Sequence, residues 1–194
     1  RGNDAFWRMA GQIGLIPIIA VSPAYQWLIA GGSEERRRFM DIIISQYNPV
    51  YLDALTRYNK ALQQRNALLK QEEEPDDDLL ALLEEEMARV GTYIYGERQK
   101  YVENFTPTFQ SFYSLISQEK ESVSLTYTSH GQRGDLLEVI RRDRAKDRAV
   151  GYSLHGTHRD DLEMLMGGFP IRREGSQGQN KTYLTALKLA QFDF

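Results

Sequence analysis

Two apolar stripes joined by an acidic turn constrain this chain more than any other feature. In "VYLDALTRYNKALQQRNALLK" (50–70), Tyr51, Leu55, Tyr58, Leu62 and Leu69 recur at heptad-like steps of four, three, four and seven. After "QEEEPDDD" (71–78), Leu80, Leu83, Met87, Val90, Ile94, Tyr101 and Phe105 form a second stripe. Each stripe has one face to bury, and the turn at Pro75 is too short to carry them apart. The expected product is an antiparallel helical hairpin, each helix burying its seam on the other. Residues 71–86 hold nine acids and no base in a chain of net charge −3, so an acidic tip stands on a mildly basic body.

Other patterns surround the hairpin. "LIPIIAV" (15–21) predicts a buried strand. "GGSEERRRFMDIIIS" predicts a helix with Ser33 as N-cap and Glu34 and Glu35 in the first turn, where the helix dipole favours negative charge. Beyond the hairpin, "SVSLTYT" alternates as a half-buried strand, with Val123, Leu125 and Tyr127 on one face. "GDLLEVIRRDRAKDRA" predicts one helix, "VGYSLHG" a strand, and "LEMLMGGFPIRR" a β-hairpin turning at Gly167-Gly168. "SQGQNKTYLTALKLAQ" predicts a capped helix, with Ser176 in the N-cap region and Leu184, Leu187 and Leu189 toward the core. Strands thus fall at both ends of a helical insertion. The fold class is α+β, mostly helical with a few strands, in three segments: 1–32 with a strand, 33–120 as the helical lobe, and 121–194 as a β/α segment.

There is no cysteine, which excludes disulfides and thiolate metal sites and fits a reducing, cytoplasmic setting. The most apolar run, 14–21, is the size of one strand, so no membrane partner is expected. The chain opens without Met or a signal layout and closes on a periodic helix and aromatics, as an internal piece of a longer protein would.

Three constellations carry chemistry. "GSQGQNKT" (175–182) matches a Walker A loop at Gly175, Lys181 and Thr182, but Asn180 stands where a glycine must let the backbone wrap the phosphates. Small residues at a helix start suit a contact that presses on phosphate from one side, through free N–H groups and the Ser176 hydroxyl. An ordinary serine-capped helix start accounts for the same residues. "HGTHRDDLE" (155–163) offers His155, His158, Asp160 and Asp161 as metal ligands by type, yet alternation sends Asp160 and Asp161 to opposite faces. No metal site is therefore expected there; pairing of Arg159 with the aspartates is the structural alternative. The basic clusters are Arg36, Arg37 and Arg38, then Arg141, Arg142, Arg144, Lys146 and Arg148, then Arg172 and Arg173. They are candidate DNA contacts, partly neutralised by Asp143 and Asp147. No motif supplies a nucleophile or general base, and no catalytic residue is assigned.

Taken together, "SPAYQWLIAGGSEERRRFMD", "YLDALTRYNKALQQRNALLK" and "HGTHRDDLEMLMGGFPIRREGSQGQNKTYLTALKLA" resemble the RecF family of SMC-like ABC ATPases, over essentially the whole chain. The most specific parts are the H-R-D-D-L segment at 158–162 and G-S-Q-G-Q at 175–179. The resemblance implies a helical lobe inserted into part of an ABC-ATPase-type head, which is P-loop NTPase-like. It makes Gly175, Ser176, Gln177, Gly178 and Gln179 the ABC signature, which closes in trans over ATP held by another subunit. Ser176 would contact the γ-phosphate and Gly178 would allow close approach. His158, Arg159, Asp160 and Asp161 become head or interface residues, and Lys181 joins the candidate DNA contacts. The implied parent binds ATP with Mg2+, dimerises with ATP, and is a weak DNA-dependent ATPase. It binds DNA at gaps and single-strand/double-strand junctions and loads recombinase with a RecR-type partner, in repair, replication, recombination and the SOS response. The family's Walker A and Walker B motifs fall outside these residues, so the chain alone is expected neither to hold ATP well nor to hydrolyse it. The sequence departs from the family pattern at Thr157 (usually proline), near Glu174 (usually apolar), and at Asn180-Lys181 (usually Gln-Arg). The rival reading is a non-enzymatic SMC-like scaffold whose hairpin docks proteins.

Overall fold

The computed structural model describes residues 25–118 and 121–193. The strand expected at 15–21 lies outside them. The described elements are α1 (Tyr25–Ala30), α2 (Ser33–Tyr47), α3 (Pro49–Leu69), α4 (Asp77–Ser117), β1 (Val123–Thr128), α5 (Leu136–Arg142), α6 (Arg144–Val150), β2 (Asp161–Met166), β3 (Phe169–Pro170), α7 (Ile171–Glu174) and α8 (Gln177–Asp193). Single 3-10 turns occupy His130–Arg133 and Thr157–Arg159. The fold is mostly helical with one small sheet.

The hairpin of α3 and α4 forms as the stripes predict. Asn48 caps α3 by accepting from the Tyr51 N–H at 3.0 Å, and Pro49 fills the first turn. Asp76 caps α4 through Asp78 and Leu79. Tyr51, Leu55, Tyr58 and Leu69 of one stripe are buried, as are all seven residues of the other. Antiparallel pairing shows in the cross-links: Asn48 bonds Glu97, Arg57 bonds Glu86 and Arg65 bonds Glu84. The second helix runs on past Pro107, burying Phe109 and Tyr113, so α4 is a spine of 41 residues, about 60 Å long.

The sheet has the order β1-β2-β3, antiparallel throughout, with Leu125 opposite Met164 and Tyr127 opposite Leu162. Val123, Leu125, Tyr127, Leu162, Met164 and Met166 are buried, so the period-two alternation names the core face correctly. The hairpin turn at Gly167-Gly168 has φ of 59° and 84°, the left-handed conformation a two-residue turn needs.

Several expectations are corrected. Gly32, not Ser33, occupies the cap position of α2, and Ser33 is already helical. The helix expected across 134–149 breaks at Asp143 into α5 and α6; the Asp143 carboxylate is taken by Lys146 and His155. "VGYSLHG" is no strand. Gly151 (φ 75°) ends α6, and the next amides turn to side chains rather than a ladder: Ser153 N–H to Asn66 and Leu154 N–H to Asp147. The second arm of the β-hairpin is only Phe169–Pro170 before the chain enters α7. Leu189 is 38% exposed; Tyr183, Ala186, Leu187 and Ala190 form the buried face of α8.

Candidate functional site

The start of α8 is held from beneath and open above. Tyr183 packs between Phe109 and Tyr113 of α4, ring centroids 4.8 and 5.9 Å away, and donates to the Ser124 carbonyl of β1 at 3.1 Å. Ser176 and Gln179 close a reciprocal capping box. The Ser176 Oγ accepts from the Gln179 N–H at 3.3 Å, and the Gln179 side-chain oxygen accepts from the Ser176 N–H at 2.7 Å. The S-x-x-Q spacing signalled this box in the sequence. The Gln179 amide also donates to Glu121, whose other oxygen accepts from the Tyr113 hydroxyl at 2.8 Å. The first turn is thereby fixed to the spine helix. The N–H groups of Gln177 and Gly178 have no partner among the described residues, and Ser176, Gln177 and Gly178 are exposed.

Two glycines here differ in what they do. A Cβ on Gly175 would meet Asn180 Oδ1 at 2.4 Å and the Ile171 carbonyl oxygen at 2.7 Å, so the packing of this chain demands glycine there. A Cβ on Gly178 would meet only the Ser176 Oγ, at 4.0 Å, an ordinary contact. Nothing among the described residues requires glycine at 178, and in a helix it costs up to about 1 kcal/mol relative to alanine. The Walker-like spacing has no cradle behind it either, since Asn180 and Lys181 lie within the helix and α7 separates them from the strand.

The 158–161 segment reaches a different element with almost every residue. The His158 Nε2–H donates to the Ser153 carbonyl (2.9 Å), which leaves Nδ1 to accept from the Tyr58 hydroxyl of α3 (2.8 Å). Burial pushes the Tyr58 phenol up to about 12 and brings His158 down to about 4, so the pair is neutral. Asp160 is buried and accepts from Arg98 of α4 (3.0 Å) and from the Tyr127 hydroxyl of β1. Asp161 takes a bidentate Arg36 from α2, at 2.7 and 2.9 Å. Arg37 donates to the Asp160 carbonyl at 2.7 Å. The aspartates therefore part to opposite sides and pair with Arg98 and Arg36. Arg159 instead lies over the Tyr152 ring, 5.3 Å from its centroid. Among the described residues no group of three or more His, Asp and Glu is set to hold a metal. Tyr58, Arg98, His158, Arg37 and Arg38 line part of a cleft of about 1050 Å³ between α2 and α3.

A stability consequence follows for His158. Its neutral form is the folded one, so the unfolded chain binds the extra proton between pH 6.5 and about 4. Stability is full above the unfolded pKa and falls as pH drops through this window, by about 3 kcal/mol for a shift of this size. Urea midpoints measured across that window should fall less steeply in His158→Gln than in the wild type.

Sequence reasoning missed two arginines. Both stripes skip a step of seven, and the missing rungs are Arg65 and Arg98, each fully buried. Arg98 bonds Asp41, Asp160, the Tyr51 hydroxyl and the Thr157 carbonyl. Burial opposes its charge, but Asp41, Tyr51, Tyr127 and Asp160 raise its pKa well above the ordinary arginine value. Arg65 joins Glu84 (3.0 Å), Asp147 (2.7 Å) and Ser153 (2.7 Å). The step of seven in an otherwise three-and-four pattern was the signal.

The basic clusters divide. Arg36 and Arg37 are committed to the 160–161 segment. Arg141 and Arg144 converge on Glu84, Lys146 pairs with Asp143, and Arg148 donates to the Leu68, Glu72 and Glu73 carbonyls. Burial opposes the charge of Glu84, yet the bonds from Arg144 and Arg65 hold it below the usual carboxylate range. Arg142, Arg172, Arg173 and Lys181 are exposed, the last three flanking the α8 turn in sequence.

No family model matches the chain. Among curated proteins, the DNA replication and repair protein RecF of Bacteroides fragilis (strain ATCC 25285) is 58% identical over 194 residues, all of this chain and 52% of that protein. That of Phocaeicola vulgatus is 59% identical over the same span, again 52% of its length. The chain thus spans about half the length of the curated relatives it matches. A solved structure of the recombination mediator protein RecF-ATPrS in the RecFOR pathway matches with a TM-score of 0.82 at 30% identity, over 89% of this chain and 49% of that one.

Proposed function

Because this chain belongs to the RecF family along all 194 of its residues, we propose that its α8 turn is the signature face of an ATP-switched DNA repair protein. In this reading Ser176 and the amides of Gln177 and Gly178 receive the γ-phosphate of ATP held by a second copy. The observation that carries it is Gly178: an exposed helical glycine that this chain's own packing does not need is explained by a group approaching from outside. The capping box supports it too, since the Ser176 Oγ accepts from Gln179 and keeps its own proton to donate. Three donors would then point at one anion, reinforced by the helix dipole by about 0.3–1 kcal/mol.

In this reading the chain supplies the second side of the nucleotide site, with no general base assigned among the described residues, and hydrolysis with its Mg2+ is the work of the first-side site. The ATP-dependent dimer binds DNA at gap junctions in the cytoplasm and loads recombinase with a RecR-type partner. Arg172, Arg173 and Lys181 are the candidate phosphodiester contacts with free heads, whereas Arg36, Arg141, Arg144 and Lys146 stand in ion pairs that brace the fold. His158, Asp160 and Asp161 act on the site at one remove, by fixing the arm to the sheet that carries α8.

Light scattering of the complete protein, with and without ATP, tests this. Ser176→Arg should remain monomeric where the wild type dimerises, while retaining ATP on its own first-side site. Association that ignores ATP in both proteins would instead favour a scaffold whose hairpin docks proteins.

A further inference from the structure

A separate set of cations converges where β1 runs into the 3-10 turn at His130–Arg133. From their arrangement we infer that the small pocket lined by Thr128, Ser129, His130, Gln132, Arg133 and Arg159 is a binding site for a phosphate group. Its volume is about 210 Å³, room for one phosphate and a few waters.

The donors are unspent. Arg133, which lines the pocket, forms no ion pair or hydrogen bond among the described residues. Arg159 is steadied over the Tyr152 ring and reaches only the Ser153 carbonyl, at 3.5 Å, which leaves most of its fork of N–H groups available. His130 Nδ1 faces both the Gly156 N–H and His155 Nδ1, each at 3.3 Å, and its Nε2 has no partner among the described residues. The nearby acids are already engaged. Asp143 is held by His155 (2.8 Å) and Lys146 (2.9 Å), Asp135 caps α5 through Glu138, and Asp160 belongs to Arg98 and Tyr127. The pocket is thus a concentration of positive charge without its anion.

His130 registers that charge. Burial first, then Arg133, His155, Arg159 and Arg142, bring its pKa down to about 4. A phosphate seated among the arginines would offset their field and favour the imidazolium, moving the His130 titration upward. This inference does not depend on the role of the α8 turn.

Histidine C2–H proton NMR of the folded protein, with His130 assigned through His130→Gln, is the test. Inorganic phosphate should move the His130 titration upward saturably, relative to chloride at matched ionic strength. Arg133→Ala and Arg159→Ala should each weaken that response roughly tenfold or more, the cost of one charge-assisted bond. Both side chains are exposed, so circular dichroism should report an unchanged fold. A dinucleotide with a 5′-hydroxyl offers only a diester, and its 5′-phosphorylated form adds a monoester. Saturation by both makes a polynucleotide backbone the source; saturation by the monoester alone makes it a free phosphate or nucleotide. An unmoved His130 with every probe, or an equal response in the arginine variants, would overturn the inference.

Discussion

Arg98→Ala should lower the unfolding free energy by about 3–5 kcal/mol, because it strands two buried carboxylates. Asp41 and Asp160 both bond Arg98, and Asp160 is 1% exposed. Burial already holds Asp160 above the ordinary carboxylate range, with Arg98 and Tyr127 working against the rise. Without the guanidinium the charged forms lose their stabilisation and the protonated forms gain. The destabilisation should therefore be largest at neutral pH and shrink as pH falls and the carboxylates take up protons. Urea unfolding followed by circular dichroism at two pH values would measure both effects. Lys100→Ala, on the same helix and paired with Glu97 in solvent, should leave the midpoint in place. A small loss in Arg98→Ala, or one that grows in acid, would show that α4 is not pinned to the 158–161 segment through this residue.

The two glycines at the start of α8 should separate stability from function. Gly178→Ala should hold or raise stability, by a few tenths to about 1 kcal/mol, since the added methyl meets nothing closer than 4.0 Å. It should nevertheless abolish ATP-dependent dimerisation of the complete protein, because in the proposed role of this turn the methyl stands where the partner's nucleotide approaches. Gly175→Ala should do the reverse to the fold. Its methyl would fall 2.7 Å from a backbone carbonyl, an overlap that costs about 1–3 kcal/mol in a packed site. Thermal unfolding and light scattering on the same two variants give the four numbers needed. A Gly178→Ala protein that dimerises normally would return the turn to the status of an ordinary capped helix start.

The glycine expectation concerns residues whose type was legible but whose purpose was not, whereas Arg98 went unread in the sequence. "GSQGQ" stood out as glycine-rich, and no pattern in the letters distinguishes a glycine required by Asn180 and Ile171 from one that the chain's own packing does not need. Likewise "HRDDL" suggested charge pairing, and alternation correctly parted its aspartates. Their partners, Arg98 and Arg36, lie 62 and 125 residues away. Only the fold could bring them together.

The periodic features were the chain's own. Apolar steps of three and four on either side of an acidic turn dictated the hairpin of α3 and α4, and period-two alternation dictated the core faces of β1 and β2. Local side-chain spacing is what buries such faces, so sequence suffices for them. Tertiary structure decided the rest: that "VGYSLHG" spends its amides on Asn66 and Asp147 instead of a ladder, that one helix breaks at Asp143, and that Arg65 and Arg98 are buried as the missing rungs of the stripes, paired with acids. In each case the deciding partner is distant in sequence and close in space. Burial makes that partner obligatory, because a polar group taken out of water must find its bond wherever the fold supplies one.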